Sequence, residues 1–147
     1  MKRRIALAGL LLSALCWGAD APLLVPCPGA TELLPEQLYG LWSAQFHEPG
    51  QGRAHAKATL RLERSADYAQ GVSGTLARDG VAAMVSGDAQ EGEFTLDESQ
   101  DGVAISATWV GSVTPDACGR EIRGNWYDVV KKSTLDFVLR KLPENRR

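Results

Sequence analysis

Short runs of alternating apolar and polar residues occupy most of the chain between residues 39 and 141. In the clearest run, residues 56–63, alanine and leucine share one face, while charged residues and a threonine share the other. A period of two with one polar face is typical of an antiparallel sheet that covers a core. No part of this region shows a clear helical period, so the pattern predicts an all-β domain.

Turn signals divide this region into eight predicted strands. Asp79-Gly80 and Asp101-Gly102 are dipeptides that favour tight hairpin turns, and a Pro-Gly-rich stretch follows the first strand. The predicted strands are residues 39–47, 56–63, 71–78, 81–86, 92–97, 103–112, 119–127 and 134–141.

Eight short antiparallel strands joined by hairpins most simply form an up-and-down β-barrel, because closure leaves no exposed sheet edge. A two-sheet sandwich is the alternative. Glycines on inward-facing positions favour the barrel, because small barrels need sharp bends or close strand approach there. We therefore predict an all-β, eight-stranded antiparallel up-and-down barrel over residues 38–142, followed by a polar tail at 143–147. The inward glycines are Gly74, Gly87, Gly111 and Gly124.

The N-terminus has the features of a cleavable export signal. Three basic residues at 2–4 precede an apolar stretch at 5–15, which is too short to span a bilayer. Small residues favour cleavage after Ala19, so residues 1–19 are the predicted signal peptide. A lipid anchor on Cys16 is the alternative, but a leucine directly before the cysteine suits it poorly. We expect a periplasmic or secreted protein with no membrane span after signal removal.

A proline-rich arm at residues 20–37 is predicted to precede the barrel, because four prolines there exclude a strand interior. After removal of the signal, Cys27 and Cys118 remain as an even pair. In an oxidising compartment two such cysteines usually form a disulfide, which would tie the arm to the barrel.

The charge balance excludes two classes of partner. Removal of residues 1–19 takes away three basic residues and no acidic ones, which changes the net charge from −2 to −5. A mildly acidic chain without a run of Lys and Arg argues against nucleic acid and anionic membranes as partners. The oligomeric state is not indicated by the sequence.

Two short motifs resemble those of a known superfamily. Gly40-Leu41-Trp42 opens the first predicted strand, and Arg140 lies at the end of the last one. A G-x-W at the start of an eight-stranded barrel, with an Arg near its end, resembles the calycin barrels. These include lipocalins, avidin-like proteins and bacterial metalloprotease inhibitors. The resemblance implies that Arg140 lies across Trp42 and closes one end of the barrel through a cation–π contact.

A second G-x-W, residues 124–126, and Thr108-Trp109 are similar to the avidin branch, in which tryptophans line the biotin pocket. Ala44 stands where that branch has a polar residue that binds the ligand, and residues 72–77 lack its usual Tyr and Ser. We therefore do not expect biotin binding.

Three tryptophans and one arginine are the candidate ligand-binding residues. Trp42, Trp109 and Trp126 could line a cavity for a small apolar or planar ligand, or they could fill a dry core. Arg120 is predicted to be in phase with Ile122 and to face the barrel end. There it could bind an anionic ligand or a partner carboxylate, or form ion pairs that cap the barrel.

No motif indicates catalysis. The chain has no G-x-S-x-G motif, and His47 and His55 lack a third zinc ligand at a recognisable spacing. Five acidic residues within positions 91–101 could serve a hydrolase or bind calcium. They alternate with apolar residues in strand register, so a solvent-exposed face is the favoured interpretation. We expect no enzymatic activity, no metal and no cofactor.

The sequence thus predicts an exported, non-catalytic binding protein that holds a small ligand in an aromatic-lined barrel. The alternative is an envelope protein-binding module, similar to a protease inhibitor, that acts through its N-terminal arm or a barrel end.

Overall fold

A computed structural model describes residues 26–144 of the chain. Eight antiparallel strands form a barrel in sequence order, and the barrel is closed because the last strand pairs with the first. The predicted up-and-down barrel is therefore confirmed. The predicted signal peptide with its lipid-anchor alternative, the first part of the arm and the last three residues lie outside the described residues. The strands are β1 (Gly40–His47), β2 (Ala54–Arg64), β3 (Gly71–Arg78), β4 (Val81–Gln90), β5 (Glu93–Ser99), β6 (Ala107–Val113), β7 (Glu121–Asp128) and β8 (Ser133–Lys141).

Aromatic side chains fill the barrel interior. Phe46, Trp109 and Phe137 are fully buried and pack edge to face, with ring centroids 5.2 Å apart for Phe46 and Trp109 and 4.9 Å apart for Trp109 and Phe137. Such tilted contacts suit the charge distribution of aromatic rings. Leucines from neighbouring strands complete the core, so the middle of the barrel is packed with side chains.

The inward glycines allow neighbouring strands to approach closely. A Cβ at Gly124 would overlap the carbonyl oxygen of Val110, and one at Gly74 would overlap that of Arg61. Side chains at these positions would push the paired strands apart. The glycines therefore permit the tight coiling that a small barrel needs, as the sequence predicted.

The first end of the barrel, where β1 begins and β8 ends, is covered by residues 26–39. This segment contains two single-turn 3₁₀ helices, Ala30–Glu32 and Pro35–Gln37. Leu33 and Leu38 are buried in the core, and Trp42 Nε1 donates a hydrogen bond of 2.8 Å to the Leu38 carbonyl. We call this the closed end.

A disulfide holds the covering segment in place. Cys27 is bonded to Cys118 in the loop between β6 and β7, with their Cα atoms 4.9 Å apart. Leu33 packs where a Cβ on Gly119 would lie, so the same loop also contacts the segment through apolar atoms. The predicted Cys27–Cys118 disulfide is therefore present.

The opposite end, which we call the open end, is formed by four hairpin loops. These loops are residues 48–53, 79–80, 100–106 and 129–132.

Among the described residues, no helix is long and apolar enough to cross a membrane.

Several predicted strand boundaries were wrong, and local hydrogen bonds explain the largest difference. β6 begins at Ala107 instead of residue 103, because Asp101 Oδ1 accepts the backbone N–H groups of Val103 and Ala104 at 2.8 Å each. The chain therefore turns where a strand was expected. Ile105, which lies in this turn, is about half exposed. β2 and β4 are longer than predicted.

We expect Gly124→Ala to lower the free energy of unfolding by roughly 1–3 kcal/mol, because the new methyl group overlaps the backbone of β6. Urea unfolding followed by circular dichroism measures this. Gly52→Ala is the matched control, since a Cβ there meets nothing within 4 Å. Equal stability of the two variants would show that close strand approach is not required at position 124.

We expect the double variant Cys27→Ala, Cys118→Ala to lose about 4 kcal/mol of stability, because the disulfide closes a long loop in the unfolded chain. The sequence separation of the two cysteines is 91 residues. Urea unfolding with and without a reducing agent tests this. The wild type should lose the same stability on reduction, whereas the double variant should not respond to the reductant.

Candidate functional site

A buried ion pair lies at the open end. Glu98 in β5 and Arg78 at the end of β3 both face inward, in phase with Leu96 and Leu76. The Glu98 side chain is 1% exposed, the Arg78 side chain is 20% exposed, and Arg78 Nη2 donates to Glu98 Oε1 at 3.1 Å. Burial of an unpaired charge costs several kcal/mol, so this pairing is what permits a carboxylate inside the barrel.

Two tryptophans bind the second oxygen of the same carboxylate. Trp109 Nε1 and Trp126 Nε1 donate to Glu98 Oε2 at 3.3 Å and 3.1 Å. The two tryptophans are direct partners across β6 and β7, which brings both indoles to one side of Glu98. Glu98 therefore connects its own strand to three others through three hydrogen bonds.

The Arg78 guanidinium lies against aromatic rings. Its Cζ atom is 4.6 Å from the ring centroid of Trp126 and 5.5 Å from that of Phe46. These distances fit cation–π contacts. Arg78 Nη1 is buried and has no hydrogen-bond partner among the described residues. A buried donor without an acceptor costs about 1–3 kcal/mol, so the network has one unsatisfied position.

A cavity of about 240 Å³ adjoins this network. A second cavity, of about 270 Å³, shares Arg78, Trp126, Asp128 and Lys131 with the first. Both cavities therefore border the guanidinium and the indole. Apolar residues form part of the first cavity's lining: Phe46, Ala56, Trp126 and Leu135.

The rim of the first cavity is acidic on balance. Its ionisable residues are three carboxylates, one lysine and one histidine, apart from Arg78, whose charge is balanced by Glu98. The rim ion pairs are long and exposed, since Lys131 Nζ lies 4.0 Å from Asp128 Oδ2 and the Lys131 side chain is 79% exposed. Exposed pairs of this kind contribute little to stability. The rim residues are Glu48, His55, Asp79, Asp128 and Lys131.

The structure separates the three predicted tryptophans. Trp109 and Trp126 meet at Glu98, whereas Trp42 lies near the closed end, beside Leu60 and Lys141 in the strand register. Trp42 and Trp109 are fully buried, and Trp126 lines both cavities of the open end. The three side chains therefore do not surround one common cavity.

The structure places Arg120 at the closed end of the barrel, where it lines a cleft with Gln37 and Lys141. Cys118 and Gly119 adopt left-handed backbone conformations with φ of 52° and 68°, so the chain is still turning where a strand was expected. β7 begins only at Glu121, and Arg120 is exposed at the closed end. Arg120 and Trp126 therefore lie at opposite ends of the barrel and cannot contact the same small ligand.

Arg140 does not lie across Trp42, contrary to what the calycin resemblance implied. Alternation in β8 directs Arg140 to the outer surface, where its Nε donates to Glu121 Oε2 at 3.1 Å. Lys141 faces Trp42 instead: its Nζ is 6.0 Å from the Trp42 ring centroid and donates to the Gln37 carbonyl at 2.6 Å. Burial is the main cause that lowers the pKa of Lys141.

Sequence reasoning missed Arg78 and placed Glu98 in the solvent-exposed acidic cluster, which is wrong. A usable signal was present, because each residue follows an inward leucine at a spacing of two. Strand parity alone predicts that both side chains face the interior.

No protein-family model matches the chain, and a search of the curated proteins finds no match. The closed eight-stranded barrel is consistent with the calycin-like fold that the short motifs suggested. In the described part of the chain, no group of three or more His, Cys, Asp and Glu side chains could hold a metal ion.

We expect Glu98→Leu to lower the free energy of unfolding by about 3–5 kcal/mol, because Arg78 and both indole N–H groups lose their acceptor. Arg78→Met should cost a similar amount, because it leaves the buried carboxylate of Glu98 without its cation. Urea unfolding compares them, and Asp97→Leu, on the outer face of the same strand, is the control, within about 0.5 kcal/mol of wild type. Equal stability of the Glu98→Leu and Asp97→Leu variants would contradict the central position of Glu98.

Proposed function

We propose that this protein is an exported, non-catalytic binding protein that holds a small planar ligand at the open end of the barrel. The supporting observation is that Arg78 lines a cavity together with aromatic rings, while its buried Nη1 has no hydrogen-bond partner among the described residues. Ligand sites are typically apolar cavities with a few placed polar groups. A donor that has no partner among the described residues is suited to an acceptor on a ligand.

The size of the cavity limits the ligand. Apolar cavities of about 150 Å³ bind benzene, so a cavity of about 240 Å³ suits one ring with a short substituent. The packed aromatic core leaves the ligand at the mouth of the barrel instead of along its axis. Since residues 26–39 cover the closed end, the open end is the favoured entry.

Export is supported by two independent features. The Cys27–Cys118 disulfide is compatible with an oxidising compartment outside the cytoplasm. The basic and apolar segments at residues 2–15 are typical of an export signal. We therefore place the proposed ligand in the periplasm or in the extracellular medium.

We expect single-ring aromatic compounds to bind the wild type and change its tryptophan fluorescence, because Trp126 lines the cavity. Ala56→Leu should abolish this binding by filling the cavity without removing any contact of the Glu98 network. Isothermal titration calorimetry and fluorescence titration measure the effect.

Ala54→Leu is the matched control, because it makes the same change on the same strand at a residue outside the cavity lining. Equal binding by the Ala56→Leu and Ala54→Leu variants would exclude this cavity as the site. Binding that Ala54→Leu preserves and Ala56→Leu abolishes would support it.

A second candidate function is protein binding through the same end. Val103 and Val130 at the loop tips are 90% and 80% exposed. The Val129 N–H donates to the Ser106 carbonyl at 3.0 Å, which holds the two loops together. The alternative that used the N-terminal arm is less favoured for residues 26–39, because Leu33 and Leu38 of that segment are buried in the core and Cys27 is bonded to Cys118. The double variant Val103→Ser, Val130→Ser should lower the affinity for a protein partner and leave the binding of ring compounds unchanged.

A further inference from the structure

We propose that the open-end cavity selects neutral ligands that carry a carbonyl oxygen over anionic ligands of the same size. This inference rests on the proposed function and specifies the chemical class of its ligand. It follows from the state of the Arg78 guanidinium, which offers a hydrogen-bond donor while its charge is already balanced.

The two terminal nitrogens of Arg78 differ in their hydrogen bonds. Nη2 donates to Glu98 Oε1 at 3.1 Å, and Nη1 is buried without a partner among the described residues. Nη1 carries two N–H groups, and a carbonyl oxygen with its two lone pairs can accept from it. Because Nη1 is shielded from bulk water, a hydrogen bond formed there would face little competition from solvent. Small side-chain adjustments, common on binding, would admit the oxygen.

Glu98 and the rim residues determine the charge that a ligand meets in the cavity. A free guanidinium favours carboxylates, which bind it through charge-assisted and often bidentate hydrogen bonds. Here Glu98 already supplies the carboxylate, at 1% exposure and 3.1 Å from Nη2. Glu48, Asp79 and Asp128 add negative charge around the cavity against a single lysine. A ligand carboxylate would therefore meet repulsion without a free positive charge to offset it.

A cationic ligand fails for a different reason. An ammonium group has donors only, so it cannot accept a hydrogen bond from Arg78 Nη1. A neutral amide satisfies the donor and avoids the repulsion that a carboxylate meets at the acidic rim, while its ring contacts the apolar lining of Phe46, Trp126 and Leu135.

The test compares three single-ring compounds of similar size: benzamide, benzoate and benzylamine. Isothermal titration calorimetry of the oxidised protein at pH 7 and low salt should give an affinity for benzamide at least about tenfold above that for the other two. Benzylamine lacks an acceptor for the buried hydrogen bond, and benzoate meets like-charge repulsion. Affinities obtained by tryptophan fluorescence titration should rank the three compounds in the same order.

The Glu98→Gln variant tests the charge balance more directly, because it leaves the charge of Arg78 without a carboxylate partner beside the cavity. We expect the benzoate-to-benzamide affinity ratio to rise by at least about tenfold in this variant, as restored charge pairing implies. Asp97→Asn is the matched control, since it removes the same charge from the outer face of the same strand and should leave the ratio unchanged. Arg78→Met should lower the affinity for benzamide by about tenfold, because the donor is lost while Glu98 and the acidic rim still repel benzoate, and it serves if Glu98→Gln unfolds.

The outcomes separate this proposal from the proposed function. Binding of benzoate or benzylamine more tightly than benzamide by the wild type would overturn the ligand class and leave a ring-binding site in place. Absence of binding by all three compounds would overturn both. An unchanged ratio in a folded Glu98→Gln protein would overturn the role of Glu98 in selectivity.

Discussion

The carboxylate of Glu98 is the interaction on which the open end of the barrel depends. It accepts hydrogen bonds from Arg78, Trp109 and Trp126, and thereby joins β5 to β3, β6 and β7. Without it, three buried donors would lack an acceptor inside a low-dielectric core, where unpaired polar groups are costly. The position of the indoles and of the guanidinium, and hence the shape of both cavities, follows from this one side chain.

The two ends of the barrel are closed by different physical means. At the closed end, apolar residues of the segment 26–39 pack onto the core, and a disulfide secures them. At the open end, a charged network fills the interior and the loops leave cavities around it. The covering segment fills the closed end, whereas at the open end Arg78 of the polar network lines both cavities and has one terminal nitrogen without a hydrogen-bond partner among the described residues. This asymmetry is why the open end is the candidate site.

The sequence predicted the fold well and the site only in part, and strand parity explains both results. Alternation in residues 56–63 and the inward glycines are local signals of a barrel, and the structure confirms them. Glu98 was misplaced because its charge suggested solvent, although its spacing from Leu96 pointed inward. The start of β7 was predicted at residue 119 instead of 121 because Cys118 and Gly119 adopt left-handed turn conformations, and the hydrogen bonds that fold such turns leave little trace in hydrophobic periodicity.

A purely structural role for the ion pair explains most of its contacts but not all of them. A network kept only for stability would gain by satisfying Arg78 Nη1, or by replacing the charges with apolar side chains of similar volume, which is often neutral or stabilising. Instead the guanidinium is held against Trp126 at 4.6 Å, beside a cavity, with one buried donor unpaired. Retention of a costly group at the mouth of a barrel fits recognition better than stability, because the missing acceptor can come from a ligand.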